Sequence, residues 1–582
     1  MNASRPLPAP TPVVTLLPQL VDYAARQYGD APFLLRWEGD DWRPIGFRET
    51  ARRVHAFARR LQEIGIGRGS RVGLLSENRP EWGIAYLGLL EADAVVVPLD
   101  PQLEPGEVAE ILEAAGASVC VASRRHFDTL DRAVRNRLSN LGRVSLDEDA
   151  EHPSLPEAVA KFSQAAPLPS QARPEDLAVL LFTSGTTGGP KGVMLSHANI
   201  LSNVEAVAQT FAFGTSDRLL SVLPLHHTFE STVGFLCLLR VGASVAYARG
   251  LKSADLREDM RTSGATILLG VPLLYEKLLA GVQSGIDGAP LAERMIARAL
   301  LTLARLARLL TRRAIGGSLL RPLRERAGMG RVRLLVSGAA ALPEDVFWGL
   351  MDLGWPVVEG YGLTECSPVV AANHPDRPRP GGVGWPLVGV EVSLESQDAE
   401  GNGEIVVRGP NVMLGYHRDP DATAEVMRDG WFHTGDLGRF LPDGRLRITG
   451  RIKNMIATAA GKKIYPEEVE AHLVLSPLVL EVVVAGGRDE RTGREEVQAH
   501  VLPNLEKLQA LARSQDAAFD DAFVERTIKR EIETRCQALS PFKRVKRVFV
   551  RREEFPKTTT GKIRRRDLSA ETEARAGRPA VA

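Results

Sequence analysis

Ten consecutive residues of this 582-residue chain have the composition of a phosphate-binding loop. The run follows an apolar segment and has the sequence Thr183-Ser184-Gly185-Thr186-Thr187-Gly188-Gly189-Pro190-Lys191-Gly192. Glycines let backbone N–H groups approach an anion, hydroxyls can donate hydrogen bonds, and the lysine adds positive charge. The order differs from that of P-loop NTPases, in which lysine follows glycine and precedes serine or threonine. The run therefore predicts a polyphosphate site of another kind.

Two other segments contain side chains that could act on the same ligand. In the segment 360–365, Tyr361 lies between glycines and can stack on a base, and the Glu365 carboxylate suits a hard, oxygen-ligated cation. In the segment 556–563, Gly561 gives a flexible loop tip and Lys562 projects a positive charge. Taken alone, the second segment is also compatible with a solvated basic tail, because three arginines follow it.

Buried strands must position these segments. Apolar runs, several of them followed by helix-like stretches, predict strands at 71–76, 94–99, 177–183, 218–224, 265–270 and 332–338. This alternation favours an α/β fold of parallel sheets covered by helices. From about residue 390, short strands punctuated by glycine predict a small β-rich lobe.

The pattern changes again after Arg451. Helix-like and strand-like segments alternate there, with a charged helix at 520–538 and a last strand at 547–550. We therefore predict a large domain over residues 1–450 and a smaller α+β domain over residues 451–582.

The composition excludes several classes of protein. With 73 Lys+Arg against 72 Asp+Glu, the formal charge of +1 gives no global attraction for nucleic acid. Four widely spaced cysteines without a CxxC pair exclude a disulfide scaffold and a cysteine zinc site, and they fit a reducing compartment. No apolar run reaches the roughly 18 residues of a spanning helix, and the Pro-rich start lacks the apolar core of a secretory signal. We expect a cytoplasmic enzyme.

In their order along the chain, these segments resemble the motifs of the adenylate-forming superfamily of acyl-CoA synthetases, peptide-synthetase adenylation domains and luciferases. The resemblance covers about residues 183–563. It implies that a carboxylate attacks the α-phosphate of MgATP and that a thiol, usually coenzyme A, then takes the acyl group. ATP, Mg²⁺ and coenzyme A are therefore expected, and the smaller domain is expected to rotate about Lys453 between the two steps.

The resemblance also implies roles for the matching residues. Thr364 would contact the phosphoryl region, and Lys562 would bridge the substrate carboxylate and the α-phosphate. The β- and γ-phosphates would be held by Thr183, Ser184, Gly185, Thr186, Thr187, Gly188 and Lys191. Mg²⁺ would be bound by Glu365 and Thr186. Adenine would contact Gly338, Ala339, Ala340 and Tyr361, ribose would bind Asp436 and Arg451, and the thiol tunnel would be lined by Gly461 and Lys462.

The segment 224–230 indicates which acid is the substrate. Its sequence Pro-Leu-His-His-Thr-Phe-Glu is most similar to long-chain fatty acid–CoA ligases, and His227 could contact the substrate carboxylate. Amino-acid-activating domains have an acidic residue near the position of Glu230. Because a buried carboxylate in an apolar tunnel would need a partner, we expect Glu230 to pair with a neighbour.

Residues 291–326 contain nine arginines and two glutamates, a local charge of +7. Arg294, Arg298, Arg305, Arg308 and Arg312 recur at helical spacing between apolar residues, which is typical of a helix that lies on an anionic membrane. This predicts peripheral contact with the inner face of the membrane. A helix that covers the sheet, with its arginines solvated, is the alternative.

The leading hypothesis is thus a long-chain fatty acid–CoA ligase. The alternatives within the superfamily are a fatty acyl-AMP or acyl-carrier-protein ligase, and an amino- or aryl-acid adenylating enzyme. A nucleotide-binding or membrane-associated scaffold without catalysis is a third hypothesis, and the presence of Glu365, Asp436 and Lys562 argues against it.

Overall fold

The computed structural model describes residues 14–138, 140–183, 190–311, 316–457, 463–488 and 495–557, with Ile563 and Arg565. Its α-helices are α1 (Gln19–Tyr28), α2 (Phe47–Glu63), α3 (Pro80–Glu91), α4 (Pro105–Ala115), α5 (Phe127–Arg137), α6 (Leu155–Lys161), α7 (His197–Phe211), α8 (Cys237–Val241), α9 (Ser253–Ser263), α10 (Pro272–Asp287), α11 (Leu291–Thr311), α12 (Gly316–Leu319), α13 (Arg321–Arg326), α14 (Glu344–Asp352), α15 (Pro420–Val426), α16 (Pro466–Leu473), α17 (Leu505–Ser514) and α18 (Asp521–Cys536). A π-helical segment, Phe229–Leu236, leads directly into α8.

The strands are β1 (Pro32–Glu38), β2 (Asp41–Gly46), β3 (Arg71–Leu75), β4 (Val95–Leu99), β5 (Val119–Ala122), β6 (Gly142–Ser145), β7 (Leu177–Thr183), β8 (Lys191–Ser196), β9 (Arg218–Ser221), β10 (Ser244–Tyr247), β11 (Ile267–Gly270), β12 (Leu334–Ser337), β13 (Val357–Gly362), β14 (Val369–Ala372), β15 (Trp385–Pro386), β16 (Glu391–Glu395), β17 (Gly403–Arg408), β18 (Gly415–Tyr416), β19 (Met427–Arg428), β20 (Trp431–Phe440), β21 (Leu446–Arg451), β22 (Ile456–Ala457), β23 (Lys463–Ile464), β24 (Val479–Arg488), β25 (Glu495–Pro503) and β26 (Arg547–Val550). All six strands predicted from apolar runs are present, as β3, β4, β7, β9, β11 and β12.

The chain forms two compact units. The first contains Met1–Val392 and Val407–Phe432, and the second contains Ser393–Val406 and His433–Ala582. The domain boundary at residues 450–451 stays a prediction.

Two sheets form the centre of the first unit. One has nine strands in the order β15-β14-β13-β12-β11-β9-β10-β1-β2, and the other has seven in the order β18-β8-β7-β4-β3-β5-β6. The inner strands are parallel, whereas β2, β14, β15, β8 and β18 add antiparallel edges. Strands such as β4, Val-Val-Val-Pro-Leu, are buried at every residue, because helices cover both faces of a parallel sheet. The predicted α/β fold with parallel sheets is confirmed.

The two smaller predicted parts of the fold are also present. The β-rich lobe has the strand order β16-β17-β20-β19, with β21 beside β20. In the second unit, β24, β25 and β26 form a sheet on which α16 and α18 pack around an apolar core. This is the predicted α+β arrangement.

Two expectations about the whole chain can be compared with the structure. All four cysteines are buried and free of disulfide bonds, as predicted. Among the described residues, no helix combines the length and apolarity required to cross a bilayer.

A buried histidine links the first three helices. His55 on α2 is hydrogen-bonded through Nδ1 to Glu91 on α3 (2.8 Å) and through Nε2 to Asp22 on α1 (3.2 Å). Burial alone would lower the pKa of His55, but the bonds to the two carboxylates outweigh burial and raise this pKa to about 9. The imidazolium therefore holds α1, α2 and α3 together at neutral pH.

We predict that this stabilisation disappears at alkaline pH. The proton on His55 stabilises the native state fully below the unfolded pKa of 6.5, and its contribution falls by roughly 1.4 kcal/mol per pH unit as the pH rises to about 9. The melting temperature of wild type should therefore exceed that of His55→Gln most at about pH 6, and the gap should narrow toward about pH 9. A gap that stays constant over this range would contradict the charged state of His55.

Candidate active site

The predicted phosphate loop lies between two strands of a hairpin. Thr183 ends β7 and Lys191 begins β8, and the two residues are paired across the hairpin. The Thr183 hydroxyl is 3.5 Å from the Lys191 carbonyl oxygen. Ser184, Gly185, Thr186, Thr187 and Gly188 lie outside the described residues, so the roles predicted for them stay predictions.

Strand β8 was missed in the sequence. The sequence analysis predicted no strand directly after the run, but Lys191–Ser196 forms one before α7 begins at His197. The first turn of α7 is closed by a capping box, in which the Ser196 hydroxyl and the Asn199 side chain each accept a backbone N–H. Thr183 and Lys191, which flank the predicted phosphate loop, are thus paired strand residues, and β8 separates that loop from α7.

Tyr416 connects the loop lysine to the predicted magnesium ligand. The ammonium of Lys191 lies 5.0 Å from the centroid of the Tyr416 ring, and the Tyr416 hydroxyl donates a 3.0 Å hydrogen bond to Glu365 Oε1. Burial and the neighbouring Glu365 carboxylate raise the pKa of Tyr416, so its hydroxyl remains a donor at neutral pH. Three side chains from three separate segments therefore form one cluster.

The backbone around Tyr416 explains this placement. Strand β18 pairs with β8, Tyr416 opposite Val193, and the N–H of Met413 donates to the Glu365 carbonyl oxygen at 2.8 Å. The Asn411 amide donates to the Cys366 carbonyl oxygen at 3.0 Å. These bonds fix the turn that contains Glu365 relative to the hairpin.

The residues predicted to contact adenine lie at one edge of the nine-stranded sheet. Gly338, Ala339 and Ala340 follow β12, and Tyr361 lies on β13, which runs parallel to β12 with Ser337 opposite Glu359. Since the carboxyl ends of parallel strands meet at one edge, the structure brings these four residues together. Gly362 next to Tyr361 must be glycine, because a Cβ there would lie 1.9 Å from the Pro368 carbonyl oxygen.

The segment predicted to contact the acid lies beside this edge. A Cβ at Gly338 would lie 3.0 Å from the ring of Phe229, so the glycine allows the two segments to pack closely. The rings of His226 and His227 are 4.3 Å apart, and His226 Nε2 is 3.6 Å from Asp100 Oδ2. Burial and the adjacent His227 hold the pKa of His226 well below its usual value, so this imidazole is neutral.

Glu230 is a buried carboxyl in the π-helical segment. No cationic side chain of the described residues forms an ion pair with it, and both of its oxygens are shielded from solvent. Burial raises the pKa of Glu230 to about 8, and the nearby Ser221 hydroxyl opposes this rise. The expected pairing of Glu230 with a neighbour is therefore wrong: neither carboxyl oxygen has a hydrogen-bond partner among the described residues, and the carboxyl carries its proton at neutral pH.

In the second unit, the structure places the two predicted ribose ligands next to each other. Asp436 on β20 is opposite Arg451 on β21, and Arg451 Nε donates a 2.6 Å hydrogen bond to Asp436 Oδ1. The Asp436 backbone N–H donates to the Thr434 hydroxyl at 3.0 Å, which tightens the turn before it. Asp436 is buried, whereas the Arg451 side chain is half exposed and can reach a ligand.

Gly461, Lys462 and Lys562 lie outside the described residues. The residues flanking 558–562 are described, and Lys557 pairs with Ile563 as a short antiparallel bridge. Lys557 Nζ contacts Glu481 at 2.5 Å, and Arg565 donates to Glu470 at 2.6 Å. Both ends of this segment are thus attached to elements of the second unit.

The Glu365 carboxylate fits a metal site that substrate phosphates complete. Over the parts of the chain with described coordinates, no group of three or more His, Cys, Asp and Glu side chains could hold a metal ion. Mg²⁺ commonly binds one or two carboxylates together with substrate phosphates, in contrast to ions held in all-protein cages. Glu365, next to the phosphate hairpin, fits such a shared site.

Tyr416 is the residue that the sequence analysis missed. Its signal was present as a Gly-Tyr pair after the apolar residues Val412, Met413 and Leu414. The pairing of β18 with β8, which gives this pair its place, could not be inferred locally.

The sequence matches two protein-family models and is similar to several acyl-CoA ligases. The sequence matches the family described as AMP-binding enzyme over residues 21–417, and that described as AMP-binding enzyme C-terminal domain over residues 468–562. It is 31% identical over 469 residues to a feruloyl-CoA synthase of an Amycolatopsis species, covering 79% of this chain and 84% of the relative. It is 29% identical over 596 residues to a long-chain-fatty-acid–CoA ligase of Salmonella typhimurium, covering 95% and 94%.

A solved structure supports the same fold. ATP-bound MatB from Rhodopseudomonas palustris superposes with a TM-score of 0.75 at 27% sequence identity, covering 96% of this chain and 99% of MatB.

We predict that Glu230 makes the protein less stable as the pH rises. The native state holds the carboxyl proton up to about pH 8, whereas the unfolded chain releases it near 4.5, so stability falls by roughly 1.4 kcal/mol per pH unit between these values. Glu230→Gln cannot ionise, and its melting temperature should exceed that of wild type at about pH 8 or above and approach it toward about pH 5.

Glu110→Gln is the matched control, because Glu110 is exposed on α4. Its melting temperature should follow wild type at every pH. If Glu230→Gln also followed wild type throughout, the protonated, buried state of Glu230 would be disproved.

Proposed function

The chain belongs to the AMP-binding enzyme family, and from that premise we propose that its acid substrate is a long-chain fatty acid. Members of this family are adenylate-forming enzymes, and this chain is an acid–thiol ligase that uses ATP, Mg²⁺ and coenzyme A. In the first step, a carboxylate oxygen bonds to the α-phosphorus and pyrophosphate leaves. In the second, the coenzyme A sulfur bonds to the acyl carbon and AMP leaves.

The choice of a long-chain acid rests on the similarity to a long-chain-fatty-acid–CoA ligase, which extends over 95% of the chain. The surroundings of His227 support it. The π-helical segment that follows is buried from Glu230 to Leu236 and includes the apolar residues Val233, Phe235 and Leu236. Glu230 holds its proton at neutral pH, so it presents no fixed negative charge for the ammonium of an amino acid.

The described cluster of the first unit suits the phosphate end of ATP. Lys191 supplies positive charge to the β- and γ-phosphates, and Tyr416 holds the Glu365 carboxylate in one orientation. Glu365 would hold Mg²⁺, which neutralises phosphate charge when bound. Thr364 precedes Glu365 in the same turn and is assigned to the phosphoryl region.

The remaining ligand contacts follow the family motifs. The turn 338–340 and Tyr361 form the adenine contact, and Asp436 with Arg451 binds the ribose hydroxyls. His227 orients the substrate carboxylate. We assign Lys562 to the α-phosphate, and Gly461 with Lys462 to the thiol path. No covalent intermediate on the protein is required, because catalysis depends on alignment and charge neutralisation.

Two partner assignments complete the proposal. The acyl acceptor is coenzyme A, with an acyl carrier protein as the alternative that the product assay below distinguishes. Because long-chain acids partition into bilayers, we also propose peripheral membrane contact through residues 291–326.

A second candidate substrate is an aryl acid. It is favoured by the 31% identity to a feruloyl-CoA synthase, which extends over 79% of this chain. The same cluster at Glu365 would serve it, and only the acyl pocket would differ.

We predict that long-chain acyl-CoA is the main product. The protein is incubated with MgATP, coenzyme A and an equimolar mixture of short, medium and long saturated fatty acids, ferulic acid and benzoic acid, and the thioesters are identified by mass spectrometry. Feruloyl-CoA or benzoyl-CoA as the main product would replace the fatty acid with an aryl acid. Acyl-AMP that accumulates without thioester would show that coenzyme A is the wrong acceptor.

We predict that Tyr416→Phe impairs catalysis in a protein that still folds. A hydrogen bond to a charged group contributes about 1.5–3 kcal/mol, so kcat/KM for ATP should fall roughly tenfold or more, and the Mg²⁺ concentration for half-maximal rate should rise. Tyr28→Phe is the matched control, because the Tyr28 hydroxyl donates to the Arg240 carbonyl oxygen on another part of the first unit. Wild-type kinetics in Tyr416→Phe would show that the Tyr416–Glu365 bond has no role.

A further inference from the structure

Helix α11 packs on the first unit through its smallest side chains. Ala297 and Ala304 are buried, and the helix contacts α10 and α14. Arg308 is also buried, bonded to Asp352 and stacked 4.1 Å from the Trp348 ring. The sequence analysis grouped Arg308 with the arginines of a membrane-facing helix, and the structure corrects this for Arg308, because α14 supplies an acidic partner.

The large apolar residues of α11 face outward. Of the seventeen large hydrophobic side chains that are exposed among the described residues, seven belong to this helix, each at least 54% exposed. They are Leu291, Met295, Ile296, Leu303, Leu306, Leu309 and Leu310. At 3.6 residues per turn they occupy an arc of about 140°, opposite Ala297 and Ala304. We call this arc the outer face of α11.

This arrangement is the reverse of an ordinary surface helix. Such a helix buries its large apolar side chains and exposes charged ones. A contiguous exposed apolar surface marks a site of interaction. The helix also has 21 residues, so its outer face extends over roughly 30 Å.

Arginines border the outer face on one side. Arg294, Arg298 and Arg305 lie within about 60° of its edge on the helical projection. The helix has one acidic residue, Glu293, against four arginines. Arg298 contacts Asp287 at 2.8 Å, but both side chains are more than 60% exposed, and an exposed ion pair of this kind is weak. The border can therefore bind anionic groups.

We propose that the outer face of α11 docks on an anionic lipid surface, with the helix in the plane of the interface. The apolar arc enters the acyl boundary, and the arginine border binds the headgroup phosphates. This rests on the proposed membrane contact and assigns it to seven residues. In α13, by contrast, Arg321 pairs with Glu325, Arg324 is buried, and Arg326 pairs with Glu293.

A second copy of the chain is a less suitable occupant. In a symmetric dimer the same face meets itself. The arginine border would then approach the arginine border of the partner, and the outer face has no acidic row to neutralise it.

Vesicle flotation of the full-length protein tests the proposal without any substrate. Vesicles of phosphatidylcholine alone are compared with vesicles that also contain phosphatidylglycerol. Wild type should float with the anionic vesicles, and added salt should weaken this binding. Leu303→Gln, Leu306→Gln and Leu310→Gln together should lower partitioning at least tenfold. Arg294→Gln, Arg298→Gln and Arg305→Gln together should remove the preference for anionic vesicles. Partitioning to these vesicles should fall about fivefold per arginine.

The matched control changes three other exposed leucines, Leu475, Leu480 and Leu505, to Gln. This variant should float like wild type, and all variants should melt near the wild-type temperature. Wild type that fails to bind anionic vesicles, or an α11 leucine variant that binds as wild type does, would overturn the proposal. So would a wild-type dimer that does not bind vesicles and that the leucine variant converts to monomer.

Acyl-CoA formation from detergent-dispersed acid separates the two proposals. The α11 variants should retain it, because α11 packs mainly on α10, α12 and α14, and none of these helices contains a residue assigned to catalysis. A protein that binds vesicles without forming any thioester would leave the docking surface in place and contradict the proposed reaction.

Discussion

The hydrogen bond from the Tyr416 hydroxyl to the Glu365 carboxylate holds together the proposed phosphate site, because the Lys191 ammonium also lies against the Tyr416 ring. A polyphosphate requires positive charge, and the magnesium ion that accompanies it requires an oxygen ligand. The cationic group and the oxygen ligand must therefore lie close together. The two residues joined by this bond are 51 positions apart in the chain. The pairing of β18 with β8, and the Asn411 bond to Cys366, give them a common frame. Both strands belong to the seven-stranded sheet.

The second unit contains the residues proposed to bind the ribose and the α-phosphate. Asp436 and Arg451 are cross-strand neighbours, so an acceptor and a donor for sugar hydroxyls are presented together. Around the segment that contains Lys562, Phe555 and Ile563 pack on Val483 and Leu502. The ion pairs of Lys557 and Arg565 attach the flanks of this segment to the same unit. The residues on both sides of the Lys562 segment are thus anchored to the second unit.

Much of the fold could be predicted because buried parallel strands are nearly continuous apolar runs, as in β4 and β7. The order of the motifs also assigns ligand contacts to particular segments, and those assignments stay predictions. Three features could not be predicted, each for a physical reason. Strand β8 is short and begins within the glycine-rich motif, so its pattern is weak. Tyr416 gains its place from pairing with a strand more than 200 residues earlier in the chain. Arg308 shares the helical spacing of the exposed arginines, and only the packing of α14 reveals its partner, Asp352.

In the proposed reaction a carboxylate oxygen attacks the α-phosphorus of ATP, while Lys191 and Glu365 serve the β- and γ-phosphates and Mg²⁺. The most direct measurement follows that oxygen. The protein is incubated with ATP, coenzyme A and a long-chain fatty acid whose carboxylate oxygens are replaced by a heavy oxygen isotope. The mass of the AMP produced is then measured by mass spectrometry. The account predicts one labelled oxygen in each AMP, together with equimolar pyrophosphate. Unlabelled AMP, or ADP and phosphate as products, would contradict it.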